Sequence, residues 1–210
     1  MTALFDALRA GDAALVRELL SDSPDMARSR TDDGVSATLW ALYVGEPALA
    51  AAIAETAGHL DVFEAAALGD VARLEELLGA SPELATALTG DGFTALHLAA
   101  FFGQAAAAPA LLGAGAAVDA TSGNHMRVTP LHSAAAGRHP DVVAVLLAAG
   151  ADPTARQNGG FTPLHAAAMN GDADSVRALL AAGADPHEPA DDGRTPAQLA
   201  TDSVAGLLDV

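Results

Sequence analysis

The 210-residue chain contains no cysteine and no lysine. The first absence removes disulfides, thiolate nucleophiles and thiolate metal sites together. The second removes Schiff-base chemistry and the phosphate-gripping lysine of a Walker loop. Aromatic residues make up only 4% of the chain although 51% of it is apolar. Alanine and leucine must therefore build the core, which favours closely stacked helices. Positive charge is scarce as well: ten arginines face 27 acidic residues, for a net charge of −17. Binding to a phosphate backbone relies on Lys and Arg to displace counterions, so nucleic acid is excluded as a partner. The acidity promotes solubility and would draw a basic partner wherever it is grouped on one face. Long apolar runs are missing too. The longest uncharged one, at positions 105–118, is broken by Pro109 and is too short to cross a bilayer. Positions 1–6 lack the basic and apolar regions of a secretory signal. These absences predict a soluble, cytoplasmic protein without a membrane partner. The Arg, Ala and Gly bias suits a GC-rich bacterial genome.

Repetition is what the chain has in their place. In residues 162–186, Thr162 and Pro163 make a helix start, since a Thr oxygen can accept a free amide and proline has none to lose. Leu164, Ala167, Ala168 and Gly171 then share one helix face, Gly171 ends the helix and Asp172 starts another. Val176, Leu179 and Leu180 face one way on that second helix, before a stop at Gly183 and Pro186. Two such helices bury too little to fold alone, so neighbours are required. Thr129-Pro130 and Thr195-Pro196 lie at equal distances on either side, and a fourth copy starts Thr94-Ala95-Leu96-His97. Gly115, Gly150 and Gly183 follow Thr94, Thr129 and Thr162 at one constant interval. Degenerate copies begin near Thr2, Ser36 and Leu60. The pairs Asp33-Gly34, Asp91-Gly92, Asn158-Gly159 and Asp192-Gly193 mark tight turns between copies.

T-P-L-H in register with spaced leucines and G-A-D stops resembles the ankyrin repeat, whose period is about 33 residues. The resemblance is to a bacterial-type ankyrin-repeat protein of about seven repeats and covers essentially the whole chain. It implies an all-α solenoid of helix-turn-helix units with short β-hairpin fingers. The chain would form one domain, residues 1–210, with repeats starting near 2, 36, 60, 94, 129, 162 and 195. The first three are degenerate and the last is a truncated cap. Several departures stand out. The interval from Ser36 to Leu60 falls well short of the period and leaves no room for a full finger. That from Thr94 to Thr129 exceeds the period slightly, lengthening the finger around positions 123–126. Pro109 is expected inside a second helix, and Arg138 takes the place of the inter-helix glycine. In ankyrin repeats the histidine of T-P-L-H is structural, bonding locally and to the adjoining finger. That role falls here on His97, His132 and His165.

No catalytic constellation emerges. Ser133 follows His132, but successive helix residues do not face each other. The sequence holds no G-x-S-x-G elbow, phosphate loop or dinucleotide fingerprint. His59, His125, His139 and His187 fall near turns without a tight ligand spacing. The expectation is a non-enzymatic module without catalytic, cofactor or metal residues. It would act as a monomer, binding a protein through the concave face made by first helices and finger tips. The seventh and eighth positions after each Thr, with the residue before it, line that face in the family. They give Tyr43, Leu68, Phe93, Phe101, Phe102, Phe161 and Met169; His125 and Met126 at the long finger's tip complete the candidate partner-binding set. Trp40 and Phe63 are assigned to the interior. Three alternatives remain at this stage. One is an acidic decoy of a basic, nucleic-acid-binding protein, which requires the carboxylates on one dense face. The others are a metal or enzyme site using the loop histidines, and self-association through the apolar face.

Overall fold

The computed structural model describes residues 3–209. Its helices come in antiparallel pairs: α1 (Ala3–Arg9) with α2 (Ala13–Asp22), α3 (Ala37–Tyr43) with α4 (Pro47–Ala57), and α5 (Val62–Leu68) with α6 (Val71–Ala80). They continue as α7 (Ala95–Phe101) with α8 (Ala107–Gly113), α9 (Pro130–Gly137) with α10 (Pro140–Ala148), and α11 (Pro163–Asn170) with α12 (Ala173–Ala181). The short α13 (Pro196–Leu199) ends the series. First helices stack on first helices and second on second, so each pair touches mainly its neighbours. The chain is an all-α solenoid.

Local chemistry sets the helix starts. Ser36, Thr94, Thr129, Thr162 and Thr195 stand at the N-caps of first helices, while Asp12, Asp70 and Asp172 cap second helices by accepting a backbone amide. The side chains of Ser36, Thr94, Thr195 and the three Asp residues each replace one partner that the first turn lacks. Pro47, Pro140 and Pro163 sit in first turns, where no amide is missed. Pro109 does the same, contrary to the expectation of an interior proline. Helix α8 starts only at Ala107, later after Thr94 than α10 starts after Thr129 or α12 after Thr162, which makes Pro109 the third helical residue. The helix starts late instead of breaking, and no side chain caps it.

The fingers are hairpins reduced to their turns. In each a backbone amide donates across the turn: Thr31 to Val35 (2.8 Å), Thr89 to Phe93 (2.8 Å), Ser122 to Val128 (2.8 Å), Gln157 to Phe161 (3.0 Å) and Ala190 to Arg194 (2.9 Å). Only isolated bridges, Arg30 with Ser36 and Leu88 with Thr94, carry β pairing among the described residues. From α7 onward the fingers are tied in line. Gly123 donates to Gly92 (2.7 Å), Asn158 to Met126 (2.9 Å) and Asp191 to Gly159 (3.0 Å).

No finger precedes α5. Residues 58–61 run straight from α4 into it, and Asp61 caps α5 in a reciprocal box with Glu64. The fingers of α3 and α7, two repeats apart, therefore meet. A Cβ on Gly90 would lie 1.5 Å from the Asp33 carbonyl oxygen, so only glycine allows this approach. Beneath them Val35, Leu39, Ala67 and Leu98 form a separate small core with Tyr43, Phe93 and Phe102 packed on it. It lies between an N-terminal core built on Leu4, Phe5, Leu8, Leu49 and Ile53 and a long core running from Val62 to Leu208. Trp40 and Phe63 pack into these clusters, Trp40 edge-on to Phe5 at 6.1 Å. At the far end Val204 and Leu208 are fully buried and close the stack.

Candidate interaction groove

The T-P-L-H histidines build the frame on which the groove rests. In each, Nδ1 accepts the backbone N–H of the Thr at the helix start, at 3.3, 3.2 and 3.0 Å for His97, His132 and His165. Nε2 is then the protonated nitrogen and donates to the next finger, to the carbonyls of Val128 (2.9 Å), Phe161 (3.1 Å) and Arg194 (3.1 Å). Each imidazole joins its own helix start to its neighbour's finger. Burial holds all three below the ordinary histidine range, His132 at about 4 despite the opposing pull of the Phe161 carbonyl. They are neutral linkers at neutral pH, and the relay runs through α7, α9 and α11 alone. In α3 Ser36 and Leu39 replace the Thr and His.

On that frame, between first helices and fingers, lies a groove of about 390 Å³. Phe101 from α7, Ser133 and Ala136 from α9, and Ala166 and Met169 from α11 form its helical side. Phe93, Met126, Val128 and Phe161 close it from the fingers. Phe101, Met126 and Met169 are 42%, 39% and 50% exposed, far more than core residues of their kind. A second hollow of about 250 Å³ shares Phe93, Phe101, Met126 and Ser133 and extends to Tyr43, His97 and Leu98. A third, of about 370 Å³, continues from Tyr43 to Arg9, Trp40, Asp32, Asp33 and Asp91.

The long finger gives Met126 its place. Asn124 organises it: its Oδ1 accepts from the Ser122 hydroxyl (3.0 Å) and the Met126 amide (3.1 Å), while its Nδ2 donates to the Asp91 carbonyl (2.9 Å). Arg127 turns the chain back with φ 53°, a left-handed conformation uncommon for a side-chain-bearing residue. Another departure has a similar logic. A Cβ on Gly137 would come within 2.4 Å of the Phe101 carbonyl oxygen, so glycine is held there and Arg138 takes the left-handed turn at φ 62°.

Of the candidate residues, Phe93, Phe101, Met126, Phe161 and Met169 thus come together in one groove, and Tyr43 lines the adjoining hollows. Phe102 and Leu68 do not. Phe102 is half-buried in the small core, stacked on Tyr43 at 5.8 Å and edge-on to Phe101 at 5.2 Å. Leu68 packs against the N-terminal core. Packing against these cores is the physical reason, since it turns both side chains away from the groove. His125 is exposed at the finger tip, its carbonyl accepting from Asn158 Nδ2 at 3.0 Å, and does not line the groove. The position rule passed over Ser133, Gln157 and Ala166, because residues that look like helix core or turn polars reach the groove only where neighbouring repeats diverge.

Carboxylates are dispersed over helix starts, ion pairs and loops. Asp61 binds Arg30 (2.8 Å), Arg156 pairs with Glu188 and Asp191, and Asp119 accepts the Asp152 amide (3.0 Å). Among the described residues no three His, Asp or Glu side chains converge as a metal site would require, and no helix is long and apolar enough to cross a membrane.

Family comparisons match most of the chain. A model of ankyrin repeats in three copies matches residues 62–157 and a single-repeat model matches 159–191. A probable E3 ubiquitin-protein ligase XBOS31 of Oryza sativa subsp. japonica is 42% identical over 93 residues, 44% of this chain and 20% of that protein. The chain thus spans about a fifth of that relative's length. Ankyrin repeats indicate a protein–protein interaction module, in a family of typically non-enzymatic scaffolds. Matched by ankyrin-repeat models over residues 62–157 and 159–191, the chain belongs to the ankyrin-repeat family.

Proposed function

We propose that this protein is a non-enzymatic adaptor that holds a segment of another protein in the groove between first helices α7, α9 and α11 and the fingers facing them. One observation carries the reading. Five large apolar side chains from two helices and three fingers, Phe93, Phe101, Met126, Phe161 and Met169, converge on one open groove, and only Phe93 among them also packs on a core cluster. Soluble monomers rarely leave contiguous apolar surface of this kind without a use. Burying a single Phe yields about 1.5–3 kcal/mol, and a few central anchors dominate most interfaces. Methionine suits the role because its flexible thioether adapts to varied partners. The histidine relay beneath keeps the groove walls at fixed spacing, which limits the ordering cost on binding.

The test uses phage-displayed random dodecapeptides selected on the purified protein. Synthetic versions of the winners are then measured against wild type and against a Phe101→Glu, Met169→Glu double variant. Both positions are exposed, so the variant keeps its circular dichroism spectrum and melting profile. Its affinity for the selected peptides is expected to fall at least about tenfold, the equivalent of about 1.4 kcal/mol. Peptides that bind the variant as tightly as wild type would remove the groove from the proposal.

A further inference from the structure

The groove and its neighbouring hollows form a trough whose two ends differ in charge. At the α11 end, the Arg194 guanidinium lies 5.5 Å from the centre of the Phe161 ring and is neutralised by Asp192 at 2.6 Å. At the α3 end, the hollow beyond Tyr43 is walled by Asp32, Asp33 and Asp91. None of the three has a cation within ion-pair distance among the described residues. Arg9 also lines this hollow, but it is paired with Asp6 at 3.2 Å and lies over the Trp40 ring. Two further facts make this more than a chance cluster of acids. The hollow has an aromatic wall, Trp40 and Tyr43, along which the apolar stem of an Arg or Lys side chain can lie while its head meets the carboxylates. It is also continuous with the apolar groove through Tyr43, which lines both this hollow and the next. The missing finger before α5 is what brings Asp33 and Asp91 together, because their two fingers touch only where no third finger separates them.

Resting on the groove reading above, we infer that the partner is an extended peptide segment with apolar anchors at one end and one or two Arg or Lys side chains at the other. The apolar residues lie along Phe101, Met126 and Met169, and the basic end enters the hollow of Asp32, Asp33, Asp91 and Tyr43. The chain's net charge of −17 adds long-range attraction for such a segment. The α11 end, where charge is already balanced, leaves the segment's apolar end nothing to repel or attract. The trough thereby reads direction as well as composition.

The same phage-displayed dodecapeptides provide the test, with three readouts. The selected peptides are expected to carry Arg or Lys in a cluster on one side of an apolar pair. An Asp32→Asn, Asp33→Asn, Asp91→Asn variant is expected to bind them at least about tenfold more weakly in about 50 mM salt. That gap should shrink in about 500 mM salt, where exposed charges are screened. Replacing the peptide's basic residues by norleucine should abolish the difference between variant and wild type. If the triple variant melts early, the Asp32→Asn, Asp33→Asn pair, both on an exposed turn, carries the measurement. Peptides that need Phe101 and Met169 but show no basic cluster and no response to the Asn substitutions would overturn this inference and leave the groove standing. Peptides indifferent to Phe101 and Met169 would overturn both.

Discussion

The two halves of this solenoid solve the same stacking problem differently. From α7 to α13, successive fingers are hydrogen-bonded in line and each buried histidine ties one repeat to the next finger. From α1 to α6 there is no such histidine and one finger is missing altogether. There the gap is filled by an aromatic wedge of Tyr43 and Phe102, over which two distant fingers close. A polar relay specifies spacing because each bond must be made or its group lies buried and unpaired. A hydrophobic wedge specifies only that volume is filled, which tolerates degeneracy in sequence. Family models match residues 62–157 and 159–191, which take in α5 and α6 together with the regular half up to α12.

Acid should separate the halves most strongly. The relay histidines are depressed in the folded state, so they stabilise it fully above about pH 6.5. Between that value and about 4 the unfolded chain binds protons that the folded one cannot, and stability falls as pH drops. His132 alone corresponds to about 3 kcal/mol over that window, with His97 and His165 acting in the same direction. Hydrogen exchange at pH 7 and 4.5 is expected to show α9 and α11 losing protection ahead of α3 and α4. Uniform loss along the chain would mean that the halves are not distinct in this respect.

The wedge should show next. Phe102→Ala removes a half-buried ring from the small core and is expected to cost about 2 kcal/mol in urea unfolding, below the range for a fully buried Phe. Phe101→Ala, its exposed neighbour in sequence, is expected to cost well under about 1 kcal/mol while weakening peptide binding. The reverse order would assign the wedge to the wrong residue. A smaller effect tests finger closure. Gly90→Ala must push the Asp33 carbonyl away and should destabilise by about 1–2 kcal/mol. Gly79→Ala, in α6 with open space around it, should stabilise by about 0.5–1 kcal/mol. Asn124→Ala, finally, is expected to cost about 1 kcal/mol through its lost finger bonds. It should also broaden the NMR signal of the Met126 methyl; an unchanged signal would show that the finger holds Met126 without Asn124.

Much of this was legible because repeats announce themselves. Thr94, Thr129, Thr162 and Thr195 fall at N-caps as their spacing requires, and the short interval from Ser36 to Leu60 correctly signals an absent finger. Pro109 misleads because a fixed register puts it in mid-helix, whereas the chain starts α8 late and leaves the proline in the first turn. Phe101 and Phe102 show the limit more sharply. They are adjacent and alike in kind, yet one faces the groove and the other the wedge, and the positional rule treats them as equals.

By itself the sequence determined the repeat, its period and the starts of the first helices from α7 onward, because these follow from local bonding between residues a few positions apart. Only the tertiary structure decided which apolar side chains remain exposed. It also brought Asp33 and Asp91, distant in the chain, onto the same hollow as Tyr43. The reason is that exposure depends on what the neighbouring repeat presents, and a missing finger changes that for every residue around it.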